Sequence, residues 1–159
     1  LALHPQKTKI VYCKDASRQE EWQSVSFDFL DYTFQPRLVR DKAKKFFVSF
    51  SPAMSTKAAK NIRQVIKQKW KLKMRMECNL KELAQLYNPA IQGWINYYSR
   101  FHGSALYSKV FDYLNTTLIR WAMKKYNPLY RRPTRASKWL KQAQLEYPNL
   151  FAHWRFKAT

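Results

Sequence analysis

Between Arg37 and Arg75 the chain carries thirteen basic side chains, Arg37, Arg40, Lys42, Lys44, Lys45, Lys57, Lys60, Arg63, Lys67, Lys69, Lys71, Lys73 and Arg75, against one acid, Asp41. Fixed positive charge at this density does one kind of chemistry well, which is to replace the counterions of a polyanion. Lys57, Lys60, Lys67 and Lys71 are spaced by three, seven and four residues, close to one side of a helix. Such a ridge repels itself unless something negative, such as a phosphate backbone, lies along it. Other reactive groups are sparse. Cys13 and Cys78 stand far apart outside any C-x-x-C pair, and His4, His102 and His153 lack ligand spacing, so no metal centre is expected. Both cysteines are expected as free thiols of a reducing compartment. Two glycines leave no room for a Gly-rich phosphate loop.

The elements that must position these cations follow from charge and periodicity. The net charge is +20 and the pI near 10.2, which points to RNA, DNA or an acidic membrane surface. Twenty-six of the 30 basic side chains lie after Pro36, and the segment before it is nearly neutral. With 46% hydrophobic and 16% aromatic residues, 159 residues suffice for one ordinary domain or two small ones. No run of about 20 apolar residues exists to span a membrane. Nothing at Leu1 resembles a signal peptide, and a start without Met implies a fragment. The expected location is cytoplasmic, in a bacterium, or organellar, without secretion.

Alternation predicts strands over Lys7–Cys13 and Phe27–Phe34, joined by a polar loop from Lys14 to Ser24, and a hairpin from Arg37–Arg40 and Lys45–Phe50 that Ser51-Pro52 ends. Helical periodicity follows. Ser55 or Thr56 caps a helix to about Met74, with Ala59, Ile62, Val65, Ile66 and Trp70 as its apolar face. Asn79 caps Leu80–Tyr87, and Asn88-Pro89 starts a further helix with Ile91, Trp94, Ile95, Tyr98 and Phe101 inward. Gly93 in that helix implies a close approach by another backbone. After a break at Gly103-Ser104, a helix runs from Ser104 to about Tyr126, and Thr134 caps a last one through Leu145. Trp94, Tyr98, Trp121 and Trp139 are expected to pack in the core.

The wording of these helices resembles the maturase-specific region, or domain X, of group II intron-encoded reverse transcriptases. Asn88-Pro89, Gly93-Trp94 and Tyr97-Tyr98 carry the resemblance. Tyr113-Leu114-Asn115, Arg120-Trp121-Ala122, Lys124-Lys125-Tyr126 and the tail Pro148-x-Leu150-Phe151-x-His153-Trp154 extend it. Upstream, Pro5-Gln6-Lys7-Thr8-Lys9-Ile10 resembles the motif D strand of a reverse-transcriptase palm, and Phe27-Asp28-Phe29-Leu30-Asp31-Tyr32 resembles the primer-grip hairpin, with Asp31 where the family usually has Gly.

The resemblance implies a mainly α fold: a helical thumb and maturase bundle over residues 51–159, preceded by a small antiparallel β remnant of the palm over residues 1–50. It implies binding of group II intron RNA for splicing, and of template and primer in an intact protein that has upstream fingers and palm and polymerises DNA on RNA. The Tyr-x-Asp-Asp aspartates of that polymerase are absent, so this chain alone is expected to catalyse nothing, and Mg2+ is expected only in the upstream site. RNA contacts are expected from Arg37, Arg40, Lys57, Lys60, Arg63, Lys67, Lys71, Arg75, Lys124, Lys125, Arg131, Arg132 and Arg135, with Gln92, Asn96 and Arg100 adding sugar or base contacts. Lys7, Phe29, Leu30 and Asp31 are the positions for nucleotide or primer contact. The rival readings are a nonspecific basic module for single strands, with Tyr97, Tyr98 or Trp154 as stacking platforms, and an inactive remnant of a mobile element. Membrane-surface binding fits least, because the basic helices spend their apolar faces on a core.

Overall fold

A computed structural model describes residues 2–6 and 8–156. A small three-stranded antiparallel sheet precedes a helical bundle, and the chain divides into two compact units, Leu1–Thr56 and Lys57–Thr159.

In the first unit the strands are β1 (Phe27–Phe29), β2 (Tyr32–Arg40) and β3 (Phe46–Met54), in the order β1-β2-β3. The stretch expected to be one strand from Phe27 to Phe34 folds back on itself. Leu30 and Asp31 both take positive φ, 47° and 66°, the geometry of a two-residue hairpin turn. An aspartate tolerates this region better than most side chains, so Asp31 can stand where a glycine would be easier. The reversal sets Phe27 directly across from Phe34, and their rings stack at 4.8 Å. Pro52 does not end β3, which continues to Met54 on the edge of the sheet, where a missing N–H is tolerated. Residues 8–13 form no strand, since no neighbouring strand offers them a ladder; Tyr12 N donates to Ser24 O at 2.9 Å. Lys7 itself lies outside the described residues.

The second unit holds the helices. Helix α1 (Thr56–Gln64) continues as a π-helical segment, Val65–Trp70, and stops at Lys71, which is left-handed at φ 47°. It does not reach Met74; a short 3-10 turn, Leu72–Met74, follows instead. Helix α2 spans Leu80–Tyr98 as one piece, capped by Asn79, whose side chain accepts from Glu82 N while Glu82 accepts from Asn79 N. Asn88-Pro89 therefore lies inside a helix and does not start one. Pro89 removes one N–H and leaves the Gln85 carbonyl without its helical donor, at a place where both residues are exposed. Asn88 is used differently: its Nδ2 donates to Leu150 O at 2.8 Å and its Oδ1 accepts from Ala152 N at 2.9 Å, tying the C-terminal tail to α2.

Helix α3 (Gly103–Leu106) passes through a π-helical turn, Tyr107–Phe111, into α4 (Asp112–Lys125). Helix α5 (Pro133–Glu146) starts two residues earlier than a Thr134 cap would allow, because Pro133 fits the first helical position without a side-chain cap. The core gathers Ile66, Leu83, Ile91, Phe111, Leu118 and Trp121. Trp70 stacks on Tyr87 at 4.1 Å and on Trp94 at 5.2 Å, and Tyr87 Oη donates to Trp70 O. Trp121 and Tyr98 are buried as expected of core residues, whereas Trp94 and Trp139 are half-buried.

The tail closes the unit with a buried polar knot. Asn115 Oδ1 lies 2.8 Å from His153 Nε2 and accepts from Trp154 Nε1 at 3.2 Å. An indole N–H only donates, so the shared Asn115 atom is an oxygen and His153 Nε2 must carry the proton. His153 Nδ1 is then an acceptor without a partner. The glycine that meets another group is Gly103, where an added Cβ would stand 3.0 Å from the Phe156 ring; Gly93 faces open space, contrary to the close approach expected of it.

Two consequences are measurable. Burial pushes the His153 imidazole down from 6.5 to about 3, so between those values only the unfolded chain binds the proton. Its share of stability is complete above about pH 6.5 and is lost as pH falls toward 3, at about 1.4 kcal/mol per pH unit. Melting temperatures taken between about pH 7 and about pH 4.5 should fall steeply in the wild type and more gently in His153→Gln. Gly93→Ala should raise the unfolding free energy by about 0.5–1 kcal/mol in a denaturant titration.

Candidate nucleic-acid interface

The densest group of cations in the second unit surrounds the connector between Trp70 and Asn79. Its backbone is held from one side by α4. Trp121 Nε1 donates to Arg75 O at 2.9 Å, Lys124 Nζ to Lys73 O at 3.0 Å, and Lys125 Nζ to Met76 O at 2.7 Å and Cys78 O at 2.6 Å. Four carbonyls of a segment without regular ladders are thus satisfied by three side chains of one helix turn. Leu72 and Cys78 are buried beside them, and burial pushes the Cys78 thiol up, leaving it a neutral packing group. With these carbonyls and the Leu72 and Cys78 side chains facing inward, Lys71, Lys73 and Arg75 are left exposed.

Lys57, Lys60 and Lys67 are also exposed, and together with Lys71 and Lys73 they make no ion pair among the described residues. Lys71 is itself the left-handed stop, just beyond the helical run that carries the other three. Arg75 is partnered: Glu77 lies 3.5 Å away, and the Tyr87 oxygen and then Glu77 hold its guanidinium protonated more firmly than usual.

Other expected contact residues are committed to the protein's own backbone. Arg63 Nη1 donates to Lys109 O at 2.7 Å, within the π-helical turn. Arg37 donates to Ser51 O and Thr33 O, and burial lowers its pKa, so it ties strands of the sheet together. Lys124 and Lys125 belong to the clamp on the connector, and Lys125 Nζ also lies 5.7 Å from the Trp121 ring centre. Gln92 Nε2 donates to Asn96 Oδ1 at 2.9 Å on the exposed side of α2, and Arg100 is exposed just past that helix. Arg131, Arg132 and Arg135 are exposed around the start of α5, with the Arg131 guanidinium 5.3 Å from the Tyr130 ring centre. Arg40 is exposed in the first unit with its guanidinium over Phe46, and Phe29, Leu30 and Asp31 form the exposed β1–β2 turn. Of the suggested stacking platforms, Tyr98 is buried, Trp154 is engaged with Asn115, and Tyr97 is 45% exposed.

Arg120, which the resemblance includes only within Arg120-Trp121-Ala122, is not among the expected RNA contacts. It is exposed on α4 and stands with Lys73 beside the connector. The signal that could have found it is its position four residues before Lys124 on the same helix. Among the described residues no group of three His, Cys, Asp or Glu side chains stands together as a metal site, and no helix is long and apolar enough to cross a membrane.

The two kinds of lysine separate by measurement. Lys125→Met keeps the alkyl stem but removes both charged hydrogen bonds, and should lower the unfolding free energy by about 1.5–3 kcal/mol in urea. Lys67→Ala, on an exposed face, should stay within about 0.5 kcal/mol of the wild type.

With this geometry in view, a family model described as Group II intron, maturase-specific domain matches residues 55–140. Searches of curated proteins and of solved structures return no match.

Proposed function

The chain belongs to the maturase-specific domain family of group II introns, and from that premise we propose that it binds the intron RNA and holds its splicing-competent fold. The observation that carries this reading is the set of exposed lysines, Lys57, Lys60, Lys67, Lys71 and Lys73, all within the matched residues and none in an ion pair among the described residues. Folding an intron packs phosphates against one another, and cations fixed on a rigid support reduce that repulsion without the entropy loss of gathering free ions. Splicing chemistry belongs to the RNA, so the protein needs no catalytic side chain for it. Arg100, Arg131, Arg132 and Arg135 extend the same chemistry, and Gln92 and Asn96 offer amide groups to sugars or bases.

The palm-like reading of residues 1–50 belongs to the same proposal. The β1–β2 turn, with Phe29, Leu30 and Asp31, is a primer-contact element only beside upstream fingers and palm. That upstream part would hold Mg2+ on its own aspartates and would make the intact protein an RNA-directed DNA polymerase, with template and primer as further partners.

The test is the salt dependence of binding to a folded group II intron RNA beside unrelated duplex RNA of equal length. Each neutralised phosphate contributes roughly 0.7 to 0.9 to the log–log slope. Changing Lys60, Lys67 and Lys71 together to Ala should flatten the slope by about two to three and weaken intron binding. Equal affinity for both RNAs, vanishing together as salt rises, would leave only a polycation and sink the maturase reading.

A further inference from the structure

Two openings flank the clamped connector. One, of about 390 Å³, lies between the connector and α4, with Leu72, Met74 and Tyr113 as apolar lining and Lys67 and Lys71 among its cations. The other, of about 260 Å³, is lined by Met123, Tyr130 and Arg131 among others. Lys73 and Arg120 line both, so two apolar recesses are joined across a pair of cations. No acidic side chain lines either one.

Met74 is 69% exposed and Tyr130 56% exposed, so these large apolar groups are left in water, not used for packing. The Arg131 guanidinium beside the Tyr130 ring adds a flat cationic surface. A duplex offers such a surface only phosphates and sugar edges, because its base faces are covered by one another. An unstacked strand offers alternating phosphates and bare base faces, which matches cations set between apolar recesses.

We propose that this double recess binds an unstacked, single-stranded segment of RNA, with a phosphate held between Lys73 and Arg120, one base against Met74 and Tyr113, and the next on Tyr130. This rests on the RNA-binding reading above and names the form of RNA that the surface selects. A bulge or loop in a structured RNA would supply such a segment, and a bare helical stem would not.

Fluorescence anisotropy tests it on the full chain, with an oligouridylate of about 12 nucleotides and an RNA duplex of the same length as probes. Met74→Ser and Tyr130→Ala leave the charge unchanged and alter exposed side chains, and thermal melts confirm that each variant is folded. Each should weaken single-strand binding at least fivefold, keep the salt slope, and change duplex binding less than twofold. Lys73→Ala with Arg120→Ala should weaken the single strand and flatten its slope. Unchanged single-strand affinity in Met74→Ser and Tyr130→Ala, or equal loss on the duplex, would overturn the proposal, as would failure of the wild type to bind the oligouridylate. Intron selectivity, measured separately, decides the maturase reading: its loss leaves the recess intact, and its persistence does not rescue a recess that binds no single strand.

Discussion

The hydrogen bonds from Trp121, Lys124 and Lys125 to the carbonyls of Lys73, Arg75, Met76 and Cys78 are the contact on which the cationic surface depends. A left-handed stop at Lys71 and a single 3-10 turn would otherwise leave the connector with unpaired backbone and several accessible conformations. With these carbonyls held by α4, Lys71, Lys73 and Arg75 are displayed on a fixed backbone, and Lys71 and Lys73 line the recess beside α4. Two lysines of α4 are spent on backbone carbonyls to hold the segment that displays others, an arrangement that a count of charges cannot distinguish from a uniformly solvated run.

The same division recurs elsewhere in the helical unit. Arg63 sits on the face of α1 that meets the π-helical turn and gives its donor to Lys109 O, while Lys60 and Lys67 on either side of it remain exposed. The wide turn and the guanidinium are complementary, since a π-helical segment spreads its carbonyls and a charged donor can reach one of them. Positive charge in this helical unit is thus divided: Arg63, Lys124 and Lys125 fix backbone, whereas Lys57, Lys60, Lys67, Lys71 and Lys73 stay exposed.

A second constraint closes the unit at its end. Asn88 from the middle of α2 and Asn115 from α4 hold residues 150–154 through their side-chain amides, and His153 is buried among Phe111, Phe151 and Trp154. A buried imidazole with one unpartnered nitrogen is costly to protonate, so the knot is strongest where His153 is neutral. The tail also covers Gly103, where a side chain would push against Phe156.

Several of these features could be read from the order of residues because they depend on near neighbours. Asn79 caps a helix start within its own neighbourhood, and the spacing of Ile62, Ile66, Leu83, Leu114, Leu118 and Trp121 sets which faces are buried. The mainly helical class, the small antiparallel sheet ahead of it and the excess of unpaired cations follow from such local signals and from composition. What the chain order could not show depended on partners distant in sequence. Asn88-Pro89 has the local pattern of a helix start, yet α2 runs through it, with Gln85 and Pro89 both exposed and Asn88 held by residues 150 and 152. Leu30-Asp31 lacks the Asn-Gly wording of a tight hairpin, so alternation reads one strand through it; the resemblance to a primer-grip hairpin points to a turn, and the pairing of Phe27 with Phe34 shows it. Which lysines are free and which are clamped was decided last and by tertiary structure alone, since Lys67 and Lys125 differ in no local property: the carbonyls that hold Lys125 lie more than forty residues before it.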